Sequence, residues 1–80
     1  MKLSEYNAAL AAILVAAAET EPAPFPESYG YTALGSDLKK WQMIRGILIT
    51  GQLATMDGNQ IKLTDAGRDM ARKCQAFAAA

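Results

Sequence analysis

The most informative segment of this 80-residue chain is residues 47–70, which read ILITGQLATMDGNQIKLTDAGRDM. At its centre, Asp57-Gly58-Asn59 offers the residue pairs that form two-residue hairpin turns. We therefore predict an antiparallel β-hairpin built from Gln52–Met56 and Gln60–Leu63. Either choice of turn puts the same side chains on each face, since side chains alternate along a strand. The apolar face carries Ala54, Met56, Ile61 and Leu63, and the other face carries Thr55 and Lys62.

A helix is predicted before this hairpin, from about Ser36 to Thr50, and Gly51 ends it. At 100° per residue, the apolar side chains expected to face the core are Leu38, Trp41, Ile44 and Leu48. The opposite face carries Lys39, Gln42, Met43 and Gly46, and it is flanked by Lys40 and Arg45. Ile47 and Ile49 widen the apolar arc, so we expect another element to cover one shoulder of this helix.

Another helix is predicted after the hairpin, from Asp65 to about Ala78, with Thr64 as its N-cap. Its apolar arc consists of Ala66, Gly67, Met70, Ala71, Cys74, Phe77 and Ala78. The opposite arc is charged, and Asp69 and Lys73 lie four residues apart, where they can form an ion pair. The pattern is typical of an amphipathic helix packed on one side.

The N-terminal part of the chain predicts a helix over residues 4–19, with Ser4 as a fair N-cap. One apolar stripe runs along it, formed by Leu3, Tyr6, Leu10, Ile13, Leu14 and Ala17. From Asn7 to Ala18 there is no charged residue, so its outer side is also uncharged. This pattern fits either an alanine-rich helix of high intrinsic propensity or a helix contacted on two sides, as in a homodimer through residues 4–19.

Three prolines then predict a stiff linker over residues 20–27, because each proline restricts itself and the residue before it. A short second helix is expected over 26–34, where Pro26 fits the first turn. Gly35 is expected to end that helix and Ser36 to cap the next one. Helix, tight junction and helix together predict a helix-turn-helix.

The N-terminus resembles a targeting signal only in part. Lys2 followed by the alanine-rich run 8–18 imitates a signal peptide, but Glu5, Tyr6 and Asn7 interrupt the usual basic-then-apolar order. The run is also too short to span a bilayer. A single cysteine agrees with a reducing compartment. We therefore expect a cytoplasmic protein that does not insert into a membrane.

The residues that are missing exclude most catalytic chemistry. Without histidine there is no Ser–His or Cys–His nucleophile pair and no imidazole ligand. Cys74 alone forms neither an intrachain disulfide nor a thiolate zinc site. No glycine-rich phosphate loop occurs. We therefore expect a non-enzymatic protein with no cofactor and no metal.

The order of these elements resembles a winged helix-turn-helix domain over residues 26–78. The residues that carry the resemblance are the Leu48–Gly51 helix end, the Asp57-Gly58-Asn59 tip and the run Leu63-Thr64-Asp65-Ala66-Gly67-Arg68. The likeness is to multiple-antibiotic-resistance-type regulators and to small phage or mobile-element proteins. It implies a mainly α fold with a small two-stranded antiparallel hairpin and a winged-helix core at 28–78. Since 80 residues leave no room for a second domain, we expect one domain over 1–80.

The resemblance implies duplex DNA as the partner, and the charge distribution agrees with it. Residues 1–37 hold one basic and five acidic side chains, a net charge of −4, whereas residues 38–80 hold seven basic and three acidic ones, a net charge of +4. Lys39 and Gln42 can reach base edges. Lys40, Arg45 and Lys62 are candidates for phosphate contacts. These residues predict a small transcriptional-regulator-like protein that binds DNA, with a dimer doubling its footprint.

The same surface also fits a partner other than DNA, namely another protein. Three or four free cations in one protomer release few counterions, which favours weak DNA binding. Met43 lies in the middle of the outward face, and methionine adapts to varied protein surfaces. The alternative is a phage or mobile-element protein-interaction module, an inhibitor or adaptor, that uses the winged-helix scaffold to bind another protein.

Overall fold

The structure is a computed structural model that describes the backbone of residues 3–79 and the side chains of residues 4–77. Lys2 and the predicted inward side chains of Leu3 and Ala78 lie outside this part. The described chain is mainly helical with a small antiparallel sheet. In chain order its elements are α1 (Leu3–Thr20), β1 (Phe25–Pro26), α2 (Glu27–Ala33), α3 (Leu38–Thr50), β2 (Ala54–Asp57), β3 (Gln60–Leu63) and α4 (Asp65–Ala79).

The apolar stripe of α1 faces inward as predicted. Ile13, Leu14 and Ala17 are buried, and Tyr6 and Leu10 pack against the core at its edge. Ser4 lies inside the helix rather than at its cap. At the other end, the Thr20 hydroxyl donates a 2.7 Å hydrogen bond to the Ala16 carbonyl.

The sheet has three strands in the order β1-β3-β2, so the predicted two-stranded hairpin, β2 with β3, is present and a third strand that was not predicted pairs with β3. The added strand comes from the predicted linker, in which Phe25 pairs with Ile61 and Pro26 with Gln60. Phe25 is buried, and its ring meets Tyr29 edge-to-face at 5.9 Å. The proline-rich segment is therefore packed as an edge strand, a position that a residue without an N–H tolerates.

Helices α2 and α3 pack closely against each other where Gly30 faces the Trp41 ring. A Cβ built on Gly30 would lie 2.2 Å from the Trp41 ring, so no larger residue fits there without movement. The N-cap of α3 is Asp37, not Ser36 as predicted: its carboxylate accepts a 3.1 Å hydrogen bond from the Lys40 backbone N–H. Ser36 instead has a φ of 59°, which places it in the turn between the helices.

The hairpin confirms the predicted faces. Ala54, Ile61 and Leu63 are buried and Met56 is half-buried, whereas Thr55 and Lys62 are exposed. Asp57 pairs with Gln60, leaving Gly58-Asn59 as a two-residue turn. Gly58 has a φ of +64°, and glycine accepts this at no steric cost.

The last helix begins as predicted, because the Thr64 hydroxyl accepts a 3.0 Å hydrogen bond from the Gly67 backbone N–H. The same hydroxyl donates to the Gln52 carbonyl at 2.7 Å, and this bond connects the start of α4 to the segment that precedes β2. Gly67 and Ala71 are buried. Met70 and Phe77 were expected inside but are 40% and 86% exposed, so these two positions of the predicted apolar arc lie outside the core.

One contiguous core joins the elements of the described chain. Its buried side chains come from α1, β1, α3, β2, β3 and α4, with Trp41, Ile44 and Leu48 of α3 almost completely excluded from solvent. The inward side of α3 is therefore fixed by the core, and this determines which of its residues face outward.

Candidate macromolecule-binding surface

The outer face of α3 is the surface on which most of the predicted site residues meet. Burial of Trp41, Ile44 and Leu48 turns the opposite side of the helix toward solvent. We define the α3 outer face as Leu38, Lys39, Gln42, Met43, Gly46, Ile47, Ile49 and Thr50, all of which are exposed. The predicted outward positions of Lys39, Gln42 and Met43 are thereby confirmed, and the three lie within about one turn of one another.

This face is more apolar than the sequence suggested. Leu38 is 56% exposed, Met43 50%, Ile47 40% and Ile49 39%. The expected core position of Leu38 was wrong, because it is the first residue of the helix and lies at the rim of the core. The shoulder formed by Ile47 and Ile49 was expected to be covered, but both side chains remain exposed. Half of the eight positions are thus large apolar side chains.

A shallow depression lies in the C-terminal half of the α3 outer face. It has a volume of about 440 Å³ and is lined by Met43, Gly46, Ile47, Thr50 and Gly51. Its floor is open at Gly46, where a built Cβ would meet nothing within 4 Å. Because Gly46 has no side chain and its neighbours are apolar, the depression suits an apolar side chain or a closely approaching backbone.

One neighbouring contact extends the apolar character of this face onto α1. The Tyr6 hydroxyl donates to the Met43 sulfur at 3.2 Å, so the start of α1 lies beside the middle of α3. The two residues are 37 positions apart in the chain, and no local sequence pattern could have shown that they meet.

Arg45 is not a free cation on this surface. Its guanidinium forms an ion pair with Glu27 at the start of α2, and the Trp41 indole N–H donates to the same carboxylate at 2.9 Å. The Trp41 hydrogen bond, opposed by partial burial and assisted by Arg45, lowers the pKa of Glu27 below its usual value. The carboxylate therefore stays ionised, and Arg45 is used in joining α3 to α2.

Lys62 lies on β3, on the exposed face of the sheet, and is not part of the α3 outer face. Its ammonium group is 3.0 Å from the Asp57 carboxylate across the hairpin. Within the described side chains, neither Lys39 nor Lys40 takes part in an ion pair. Of the predicted phosphate-contacting cations, only Lys40 therefore remains unpaired, and it is half-buried.

The tip of the hairpin is attached to the body of the molecule. The Glu27 backbone N–H donates a 2.7 Å hydrogen bond to the Asn59 carbonyl in the turn. Strand β1 pairs with the first residues of β3, directly beside this turn. The turn of the hairpin is therefore fixed against the start of α2.

A second, more enclosed cavity of about 260 Å³ lies between the proline-rich segment and β3. Its charged lining is already paired: Arg68 donates to Glu21 at 3.0–3.2 Å and to Asp65 at 3.0 Å. These carboxylates, Glu21 first, raise the pKa of Arg68 above its usual value. The guanidinium thus serves to attach the segment after α1 to α4.

Comparison with known proteins finds no match: no family model, no curated protein and no solved structure is significantly similar to this chain. Among the helices of residues 3–79, none combines the length and the apolar character needed to cross a bilayer. Across the same residues, no three potential metal ligands of the His, Cys, Asp or Glu type are grouped together.

Proposed function

We propose that this chain is a small non-enzymatic domain of winged-helix type that binds another protein through the α3 outer face. The observation that carries the proposal is the composition of that face. Four of its eight members are large apolar side chains, two of which line the depression at Gly46, and the only charged group among the eight is Lys39. Exposed apolar patches on small proteins mark interaction sites.

The order of the elements supports the winged-helix part of the proposal. Two helices, α2 and α3, are joined by a short turn and followed by a hairpin, with β1 as the third strand. The run Leu63–Arg68 acts as the resemblance implies: Thr64 caps α4, and Gly67 lies against the Leu53 carbonyl, where a Cβ would be 1.9 Å from the oxygen. The glycine in that run therefore permits α4 to pack on the segment before β2.

The distribution of charge favours a protein over nucleic acid. The centres of protein interfaces are depleted in Lys and Glu and enriched in Met and aromatic residues. DNA affinity depends on the number of phosphates that cations neutralise. Since Arg45 and Lys62 are paired with Glu27 and Asp57, a protomer offers Lys39 and Lys40 as unpaired cations among the predicted ones. The tip of the hairpin is also hydrogen-bonded to the start of α2, through the Asn59 carbonyl and the Glu27 backbone N–H.

A photo-crosslinking experiment tests the proposal. A photoreactive phenylalanine analogue replaces Met43 on the α3 outer face or, as the matched control, Thr55 on the exposed face of the hairpin. We expect discrete nuclease-resistant protein adducts from position 43 in the native cellular extract, and at most a tenth of their yield from position 55. Equal yields from the two positions would contradict the proposal, and adducts removed by nuclease would favour DNA.

Duplex DNA is the second candidate, because Lys39 and Gln42 both point outward in the N-terminal half of α3. These are residue types that pair with base edges in the major groove. If this candidate is right, Lys39→Glu with Lys40→Glu will abolish salt-dependent retention on random duplex DNA and on heparin. Arg72→Glu with Lys73→Glu on α4 makes the same change in charge and serves as the control. Equal retention of both double variants and the wild type would reject DNA binding through α3.

A further inference from the structure

We propose that the sulfur of Met43 is a site of reversible, stereoselective oxidation, at which a peroxide adds oxygen mainly to the lone pair that Tyr6 leaves free. The inference goes beyond the proposed function, because it concerns the chemistry of one atom and holds whichever macromolecule the α3 outer face binds. The co-reactant is a small peroxide, and the product is methionine sulfoxide at position 43.

Met43 combines exposure with a directed contact, and this distinguishes it from the other described methionines. Met43 is 50% exposed and Met70 is 40% exposed, so a peroxide reaches both, whereas Met56 is half-buried against the core. Of these three described methionines, only Met43 accepts a hydrogen bond at its sulfur, from the Tyr6 hydroxyl at 3.2 Å. Comparing Met43 with Met70 therefore separates the effect of the donor from the effect of exposure.

The position of the Tyr6 hydroxyl determines which side of the sulfur is open. A thioether sulfur carries two lone pairs, and oxidation at one or the other gives the two epimers of the sulfoxide. The Tyr6 O–H is directed at the Met43 sulfur, so it engages one lone pair and the phenol shields that side. The Tyr6 ring also packs against the core, which holds the donor in place. Peroxide therefore attacks from the side facing away from Tyr6, and one epimer predominates.

The reaction balances with the peroxide as the only co-reactant. The free lone pair of the Met43 sulfur attacks one oxygen of hydrogen peroxide, an S–O bond forms and the O–O bond breaks. The second oxygen leaves as water with both hydrogens of the peroxide. The sulfur thus loses two electrons, the peroxide gains them, and the Tyr6 hydroxyl keeps its proton.

The product changes the surface on which Met43 lies. Met43 lines the depression of the α3 outer face together with Ile47 and Thr50. Oxidation converts a flexible apolar side chain into a polar one, so an acceptor oxygen is added to the wall of this depression. Each sulfoxide reductase acts on one epimer, so a site that gives mainly one epimer is restored by one class of reductase.

The experiment measures the ratio of the two sulfoxide epimers at Met43. The folded chain, with Cys74→Ser to remove the competing thiol, is treated briefly with hydrogen peroxide and digested with trypsin. Cleavage after Lys and Arg releases Met43 in residues 41–45 and Met70 in residues 69–72, so the two are measured separately. Each peptide is treated with a reductase specific for one epimer, and the remaining sulfoxide is quantified by mass. We expect one epimer at Met43 in about threefold excess, the preference that one weak hydrogen bond supplies.

Tyr6→Phe is the decisive variant, because it removes only the hydroxyl and keeps the ring that packs against the core. We expect the two epimers at Met43 to become nearly equal in this variant, with the ratio at Met70 unchanged. Circular dichroism and the fluorescence of Trp41 establish that the variant is folded. The parent protein unfolded in urea is a second comparison, in which the excess at Met43 disappears because Tyr6 no longer lies beside it.

Two results would overturn the proposal. Equal epimers at Met43 in the folded parent protein would show that Tyr6 does not direct the attack. The same excess in Tyr6→Phe as in the parent protein would show that the hydroxyl is not its cause. Neither result bears on the proposed function, which is tested by the adducts from position 43. Absent adducts together with a biased epimer ratio would reject the protein partner and leave the oxidation site in place.

Discussion

Two helices of similar length, α3 and α4, differ in the side chains that they expose to solvent and in the surroundings of their interior glycines. On α4 the outer charges are paired with one another, as in Arg68 with Asp65 and Arg72 with Asp69, although Met70 and Phe77 remain exposed. Its Gly67 is required by the fold, because the Leu53 carbonyl occupies the place of a side chain. On α3 half of the exposed face consists of large apolar side chains, and its Gly46 is required by nothing in the described chain.

The difference separates residues whose identity is explained by the stability of the fold from residues whose identity is not. A glycine that the core needs and a charge pair that keeps a surface soluble are both accounted for by folding. Folding does not account for an exposed apolar face that includes an interior glycine. Such a face lowers helix stability and solubility, and it stabilises nothing within the described chain. The α3 outer face is therefore the surface for which we propose a binding role.

The largest expected effect tests the α4 side of this comparison. Gly67→Ala forces a methyl group against the Leu53 carbonyl, and we expect it to lower the free energy of unfolding by about 3 kcal/mol. Urea titration followed by fluorescence of Trp41, the single tryptophan, measures the change. The control is Gly46→Ala, the same substitution on α3. A wild-type midpoint for Gly67→Ala would show that α4 does not pack as described.

A smaller effect is expected at the base of α3, where Glu27 holds Trp41 and Arg45. Glu27→Gln retains an acceptor for the indole but loses the charge, and we expect a loss of about 1 kcal/mol at neutral pH. Because the pKa of Glu27 is lowered in the folded state, its contribution is complete above the ordinary value of 4.5 and is lost as the pH falls through the folded value.

The stability difference between wild type and Glu27→Gln should therefore shrink as the pH is lowered below about 4.5. The pKa of Asp69 is also lowered, by Arg72 first and then Lys73, but this residue is common to both proteins and cancels in the comparison. A difference that stays constant down to the acid transition would contradict an ionised Glu27 at this position.

The third prediction concerns Gly46→Ala and has the opposite sign. Since the added methyl group meets nothing, the helix gains propensity and we expect stabilisation by about 0.5–1 kcal/mol. Destabilisation would mean that Gly46 has a role inside the monomer, and the contrast with Gly67 would disappear.

The smallest effect is expected from the charged surface of α4. Asp69→Asn removes ion pairs with Arg72 and Lys73, which have nitrogen–oxygen distances of 3.3 Å and are exposed to solvent. Such pairs contribute little because water and salt screen them. We expect an unfolding midpoint within error of the wild type at neutral pH. A clear shift would show that these exposed ion pairs contribute to the stability of the fold.

Much of the architecture could be predicted because it depends on neighbours in the chain. The alternation Ala54, Met56 and Ile61, Leu63 defines one face of a hairpin regardless of register. Thr64 before an amphipathic run predicts a helix start. The outward direction of Lys39, Gln42 and Met43 follows from helical spacing once Trp41 and Ile44 are recognised as core.

The candidate site was only partly predictable, for three physical reasons. Strand β1 is two residues long and contains a proline, so it has no periodic signal and exists only because β3 offers a free edge. The partner of Arg45 lies 18 residues away, and spacing along a helix cannot find it. Leu38 has a core-like position on the wheel, yet it lies at the start of the helix and remains 56% exposed.

Local chemistry along the chain was enough to define the hairpin, the helices around it and the side of α3 that faces solvent, because turns, caps and periodicity involve residues within about four positions. Contacts between distant segments decided the rest. They recruited the proline-rich segment into the sheet, neutralised Arg45 with Glu27, tied the hairpin tip to α2 and left the shoulder of Ile47 and Ile49 uncovered. Such contacts depend on how elements pack in three dimensions, which no spacing rule encodes.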